Sequence, residues 1–169
     1  MNTYLHRLAP VSALGLASFL AAACAPRERV EQPVTVIPAP AAPSQGFITD
    51  IEQATVQNEF FRRVLFTAPY SQLVLMSLRP GEELGMETHP NADQFIRVET
   101  GTGYVTLGGQ SYQIQDGSAM VIPAGVQHNI VNNGSAPLRF YVVYSPPQQP
   151  PNTVQATKRD APKPGHHHR

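Results

Sequence analysis

The chain has little cysteine and no excess of charge. Cys24 stands alone, so no intrachain disulfide can form. Lys and Arg number 12, and Asp and Glu also number 12. No basic stripe appears, and no aromatic residues interleave with Lys or Arg. A face that neutralises phosphate is therefore missing, and a nucleic-acid partner is excluded. There is no useful internal repeat, no helix–strand alternation of a dinucleotide fold, no G-x-S-x-G elbow and no phosphate loop. Gly101, Gly103, Gly108 and Gly109 mark corners, not a phosphate cradle. What is present is 169 residues, enough for one domain with a real core plus tails.

The 17 prolines gather at the two ends. The start, MNTYLHR, is basic, and an uncharged Ala- and Leu-rich stretch follows and closes in "LAAAC". This is the pattern of a signal peptide over residues 1–23. Small residues directly before a cysteine resemble the bacterial lipobox, which makes Cys24 the expected site of lipidation. Leu20 sits four residues before Cys24, and Ala21 fills the position three before, where Leu is usual. The other reading is ordinary cleavage after Ala23-Cys24-Ala25, which would leave the unfavourable Pro26 next to the cut. A spanning helix is disfavoured by shortness, weak hydropathy and Pro10. Ala25 is not the Asp of an inner-membrane retention signal, so the expected location is the cell envelope, at an outer membrane and facing the periplasm. Residues 24–46 carry Pro26, Pro33, Pro38, Pro40 and Pro43 and read as an extended, Pro-rich tether. The chain from Pro146 onward is again proline-rich and polar, and residues 158–169, ending in His166, His167, His168 and Arg169, read as a disordered tail.

Between the ends, residues 47–157 form the expected domain. Thr49-Asp50-Ile51-Glu52 suits either a helix cap or the lead into a strand. Short β-rich runs follow at 60–67, 72–78, 94–99, 104–107, 111–115, 119–122, 128–131 and 138–144, with Gly and Pro at the corners. Gln94, Ile96 and Val98 alternate onto one face, with Phe95, Arg97 and Glu99 on the other. Gly108-Gly109 is a tight hairpin signal. Strands at this spacing predict an all-β barrel or sandwich. Tyr70, Met76, Met86 and Phe95 are expected mainly to pack that barrel.

Glu87 and His89 are two apart and share a face if the backbone is extended. Pro90-Asn91-Ala92-Asp93 is a turn by composition, and Gln94 opens the next strand on the face of Ile96. His128 follows the Pro123-Ala124-Gly125 turn and shares a face with Ile130. Four side chains with lone pairs thus converge: Glu87, His89, Gln94 and His128. Two imidazoles and a carboxylate suit one divalent ion, whether iron, manganese, nickel, zinc or copper.

These positions carry a resemblance to the cupin superfamily. Its first motif, G-x5-H-x-H-x4-E-x6-G, is matched in spacing by Gly81, Glu87, His89, Gln94 and Gly101. Its second, G-x5-P-x-G-x2-H-x3-N, is matched in full by Gly117, Pro123, Gly125, His128 and Asn132. The resemblance implies a single jelly-roll-like cupin barrel, a double-stranded β-helix, with one metal. It points more closely to single-domain bacterial cupins, often labelled mannose-6-phosphate isomerase-like. Glu87 replaces the usual first histidine and Gln94 the usual glutamate. The set keeps one negative charge, so it reads as a rearranged site. Gln94 is expected to bind through its carbonyl oxygen or to hydrogen-bond a metal-bound water. The implied activity is that of a small-molecule metalloenzyme, dioxygenase-like or sugar-isomerase-like. The alternative is a non-catalytic module that binds a metal or small ligand. Pairing into a homodimer is also implied by the resemblance.

Overall fold

The structure, a computed structural model, describes residues 45–161. The signal peptide, Cys24, nearly all of the tether and the terminal histidines lie outside the described residues.

The first element is a helix, α1 (Ile51–Val56). Asp50 decides it: the carboxylate accepts the Gln53 N–H at 3.0 Å, satisfying a donor that the first turn leaves free. Nine strands follow among the described residues: β1 (Arg62–Thr67), β2 (Gln72–Leu78), β3 (Asp93–Thr100), β4 (Thr102–Leu107), β5 (Gln110–Gln115), β6 (Ala119–Ile122), β7 (His128–Val131), β8 (Leu138–Ser145) and β9 (Val154–Gln155). They form one six-stranded sheet, ordered β6-β3-β8-β2-β1-β9, and one three-stranded sheet, β5-β4-β7. All the pairings are antiparallel. The β4–β5 hairpin turns at Gly108 and Gly109, whose φ values of 53° and 87° are left-handed, as a two-residue connection of this kind demands.

The core lies between the two sheets. Ile96, Val142, Val74 and Val64 stand in register across β3, β8, β2 and β1, and all four are buried. Val105, Ile114 and Ile130 of the smaller sheet join the same cluster. Each such side chain contributes roughly 1.5–3 kcal/mol by leaving water. Gly103 is required where β4 passes under β8: an added Cβ would fall 2.8 Å from Leu138 Cδ2 and closer still to the Val131 carbonyl.

The polar row at one end of this core is what places the site. Next to Ile96 and Val142 in strand order come Gln94 and Tyr144, with Gln72 beside Tyr144 on β2, all nearly inaccessible. The segment from residue 79 to 92 returns from the far end of β2 to the start of β3. It runs beside β7 through the bridges Glu83↔Val131 and Glu87↔His128, extending the smaller sheet. Asn129 ties it down further, accepting the Gly85 N–H at 3.0 Å and donating to Glu83 at 2.8 Å.

Several details differ from expectation. The proline-rich stretch from Pro146 is docked: the Gln72 amide donates to the Gln149 carbonyl at 2.8 Å, and its oxygen accepts the Gln149 N–H at 2.9 Å. The chain then returns as β9 beside β1, and Lys158–Asp160, placed by composition in the tail, form a 3-10 turn capped by Thr157 and Asp160. Proline content marks extended chain but not whether it has a partner. Met76 is core, whereas Tyr70, Met86 and Phe95 are exposed. Glu99 shares an outward face with Arg97, yet it is buried and ion-paired to it, at a bulge in β3.

Candidate metal centre

Glu87, His89 and His128 come together at the polar end of the core. Their ligating atoms all lie within 4.8 Å of one another. Glu87 Oε1 is 3.6 Å from His89 Nε2 and 3.6 Å from His128 Nε2. Donor atoms held about 2.0–2.2 Å from a common ion stand at separations of this order.

The backbone fixes this geometry. Glu87 and His128 exchange two main-chain hydrogen bonds, at 2.9 and 3.0 Å. His89 is held through its carbonyl, which accepts the Gly125 N–H at 2.9 Å. Asp93, read from the sequence as a turn residue, accepts the Ala124 N–H at 2.8 Å and clips the loop before His128 to the start of β3. Asn132 is structural: its amide donates to the carbonyls of Leu78 (2.8 Å) and Ala136 (2.9 Å), and its oxygen accepts the Gly134 N–H (2.9 Å).

Both imidazoles are oriented alike. His128 Nδ1 lies 2.9 Å from the Val126 carbonyl and must carry the proton there; His89 Nδ1 faces Gln148 Oε1 at 3.4 Å. Each Nε2 lone pair is thereby turned into the site, the arrangement a metal-ligating histidine needs. The ring of Tyr144 packs edge-on against His89, with centroids 5.2 Å apart.

The electrostatics follow from burial and proximity. Burial pushes the Glu87 carboxyl up. Contact with His128 and His89, and the charges of His89 and Arg62, outweigh this and hold it at about 2. Burial pushes His128 down, but Glu87 and the Val126 carbonyl prevail, and its pKa lies above the ordinary histidine value.

Gln94 is in the site, but its amide nitrogen is the atom that approaches His128, 3.0 Å from Nε2. Its carbonyl oxygen has no partner. Five buried side-chain polar atoms among the described residues lack a hydrogen bond, and three are Glu87 Oε1, His89 Nε2 and Gln94 Oε1. Orphaned acceptors cost about 1–3 kcal/mol each when buried, and two of these, Glu87 Oε1 and His89 Nε2, stand 3.6 Å apart. A cation satisfies that set and a packed apolar core does not, so the residues present fit a divalent ion.

The chain is a cupin. The family model described as "Cupin domain" matches residues 74–144, from β2 through β8. An uncharacterized protein of Bacillus subtilis, YrkC, is 46% identical over 121 residues, 68% of this chain and 65% of that protein. An uncharacterized protein of Acanthamoeba polyphaga mimivirus is 37% identical over 119 residues, 68% of this chain and 74% of that one. The crystal structure of BH2720 from Bacillus halodurans shares 42% identity with a TM-score of 0.68, covering 69% of this chain and 93% of that one. The two-sheet jelly-roll architecture expected from the motifs is the observed one.

Tyr144 and Gln148 also contact His89 in this cupin's site, and Arg62 is buried on the inward face of the same sheet as Tyr144; sequence reasoning missed all three. The available signal for Arg62 was its spacing from Val64, which puts a charged residue on the buried face of β1. Gln148 gave no signal, because its stretch read as tail.

Proposed function

We propose that this cupin binds one divalent metal ion through Glu87, His89 and His128 and acts with it on a small molecule. The observation that carries this reading is the convergence of the Glu87, His89 and His128 ligating atoms within 4.8 Å of one another, with Glu87 Oε1 and His89 Nε2 buried and without a hydrogen bond. The ion would supply Lewis acidity to a carbonyl or hydroxyl oxygen, or a site for dioxygen chemistry. The chain's own residues supply the rest. Glu87, ionised, balances part of the added charge. His89 and His128 present neutral Nε2 atoms in fixed tautomers. Gln94 offers one free carbonyl oxygen for a water or a substrate hydroxyl. Tyr144 keeps its proton, because burial and the nearby Glu87 raise its pKa, so it acts as a donor and not as a base.

Elemental analysis of protein purified without chelators tests the metal. His89→Ala and His128→Ala should lose it, and wild type without stoichiometric metal would end this reading. Turnover-linked oxygen uptake would mark a dioxygenase, and unchanged turnover in the absence of air an isomerase. Tight ligand capture with no conversion would mark a binding module.

The same proposal includes export with a lipid on Cys24 and residence at the outer membrane facing the periplasm. Mass spectrometry of the mature N-terminus in wild type and Cys24→Ser tests it. It also includes self-pairing through the outward row of Val121 and Phe95, 65% and 38% exposed, which sedimentation of Val121→Arg would test.

A further inference from the structure

Arg62 is a buried cation that the metal ligands leave unused. It lies on the inward face of β1, in register with Met76 of β2 and Gln155 of β9, and is 7% exposed. A guanidinium carries five N–H donors and no acceptor. Nη1 donates to Gln155 Oε1 at 3.2 Å. Nε is buried and has no partner. The ion pairs among the described residues involve Arg97, Lys158 and the two histidines, not Arg62. The ring of Phe61, 5.5 Å from the guanidinium carbon, is its other neighbour. An unpaired buried charge is expensive, and an anion supplied from outside the chain would offset that cost.

Arg62 shares the inward face of the larger sheet with Tyr144 and Gln94, and one row of side chains, Val64, Val74, Val142 and Ile96, separates its place on the strand from theirs. Glu87 and Arg62 cancel one another in formal charge. A divalent ion would then leave the interior doubly positive, and a neutral ligand would not relieve it. An anionic ligand does, and the planar fork of a guanidinium suits a carboxylate, which accepts two parallel hydrogen bonds.

We infer that Arg62, steadied by Gln155, is the anchor for a carboxylate of the ligand, so that the molecule this cupin takes is a small organic acid. The acid's other oxygen would face the metal centre, with Tyr144 as a further donor. That second half rests on the metal reading; the anchor itself does not.

The test is an NMR titration of the Arg62 Nε–H resonance in the full chain, both zinc-loaded and chelator-stripped. Formate, acetate, pyruvate and malonate are the probes, with methyl pyruvate as the uncharged control. At least one acid should move the resonance downfield and saturate at millimolar concentration, while the ester leaves it unmoved. Arg62→Met should weaken that acid's binding about tenfold or more. Arg62→Lys, which keeps the charge but loses Nε, should fall between. The inference is overturned if no acid moves Nε–H, if acid and ester bind alike, or if Arg62→Met binds the acid as wild type does. Should Arg62→Met fail to fold, the wild-type titration decides alone. Zinc content measured in parallel separates the two ideas: a protein without zinc that still binds the acid at Arg62 refutes the metal reading and keeps the anchor.

Discussion

Gln94 Nε2 lies 3.0 Å from His128 Nε2, and the Nδ1 of the same imidazole already gives its proton to the Val126 carbonyl. The Gln94 amide is therefore the donor, and it occupies the lone pair that a metal ion would use. Amide and ion compete for one atom. Gln94→Glu replaces the competing donor with a carboxylate acceptor and should raise zinc affinity by about tenfold or more. Gln94→Ala keeps all three ligands, removes the competing donor and should raise affinity by a few-fold. Competition against a chromogenic chelator measures both; a large loss in Gln94→Ala would make the amide oxygen a ligand.

Removing a ligand has a second readout in stability. An ion at about one hundred times its Kd adds roughly 2.7 kcal/mol to the folded state. Chelator should lower the wild-type Tm by several degrees and should leave the Tm of His89→Ala and His128→Ala nearly unmoved. Differential scanning calorimetry with and without chelator makes the comparison.

The pH dependence has a definite sign. Glu87 is held at about 2, below its ordinary 4.5, so its stabilising contribution to the metal-free domain is complete above 4.5 and fades as the pH falls from there towards 2. His128 is raised above 6.5, so its contribution is complete below 6.5 and fades as the pH climbs through the raised value. An ion needs the lone pair that this proton fills. Metal affinity should therefore increase with pH above 6.5, and the gap between metal-loaded and stripped Tm should widen over the same interval. Thermal melts from about pH 2 to about pH 9 test both signs, and Glu87→Gln should flatten the acid limb.

Asn132 belongs to the fold and not to the ligand set. Asn132→Ala removes three hydrogen bonds made by a fully buried side chain and takes from the Leu78 carbonyl the amide donor beside it. The expected loss is about 2–4 kcal/mol in urea unfolding. Metal stoichiometry should be unchanged in whatever fraction remains folded.

Much of this was legible in the order of residues. Short β-rich runs between turn residues located β2, β6 and β7 at their observed bounds, and alternation placed Gln94 with Ile96 and Val98 on the buried face. The glycine and proline corners gave the hairpin and the loop before His128. Alternation reads at the start of β3 because that strand has one wet and one dry side there, whereas β2 and β7, buried almost throughout, read as runs between corners. The pairing of β9 with β1 was not legible, since two residues joined to a strand some ninety positions away leave no periodic trace. Arg62 was hidden for a related reason. Beside Arg63 it reads as surface, and only the register with Val64 reveals that one of the two must turn inward. The ligand trio was visible by spacing, but which atom of Gln94 faces His128 depends on a side-chain rotation that spacing does not encode.

The paired main-chain hydrogen bonds between Glu87 and His128 leave those two residues no freedom to part. His89 meets them through a single main-chain bond, from the Gly125 N–H, and through side-chain contacts with Gln148 and Tyr144. The cage is thus a doubly tied corner with a third wall held more lightly. An ion of the wrong radius would be met by strain at one side chain and not by a general loosening, so discrimination among cations should follow size before charge.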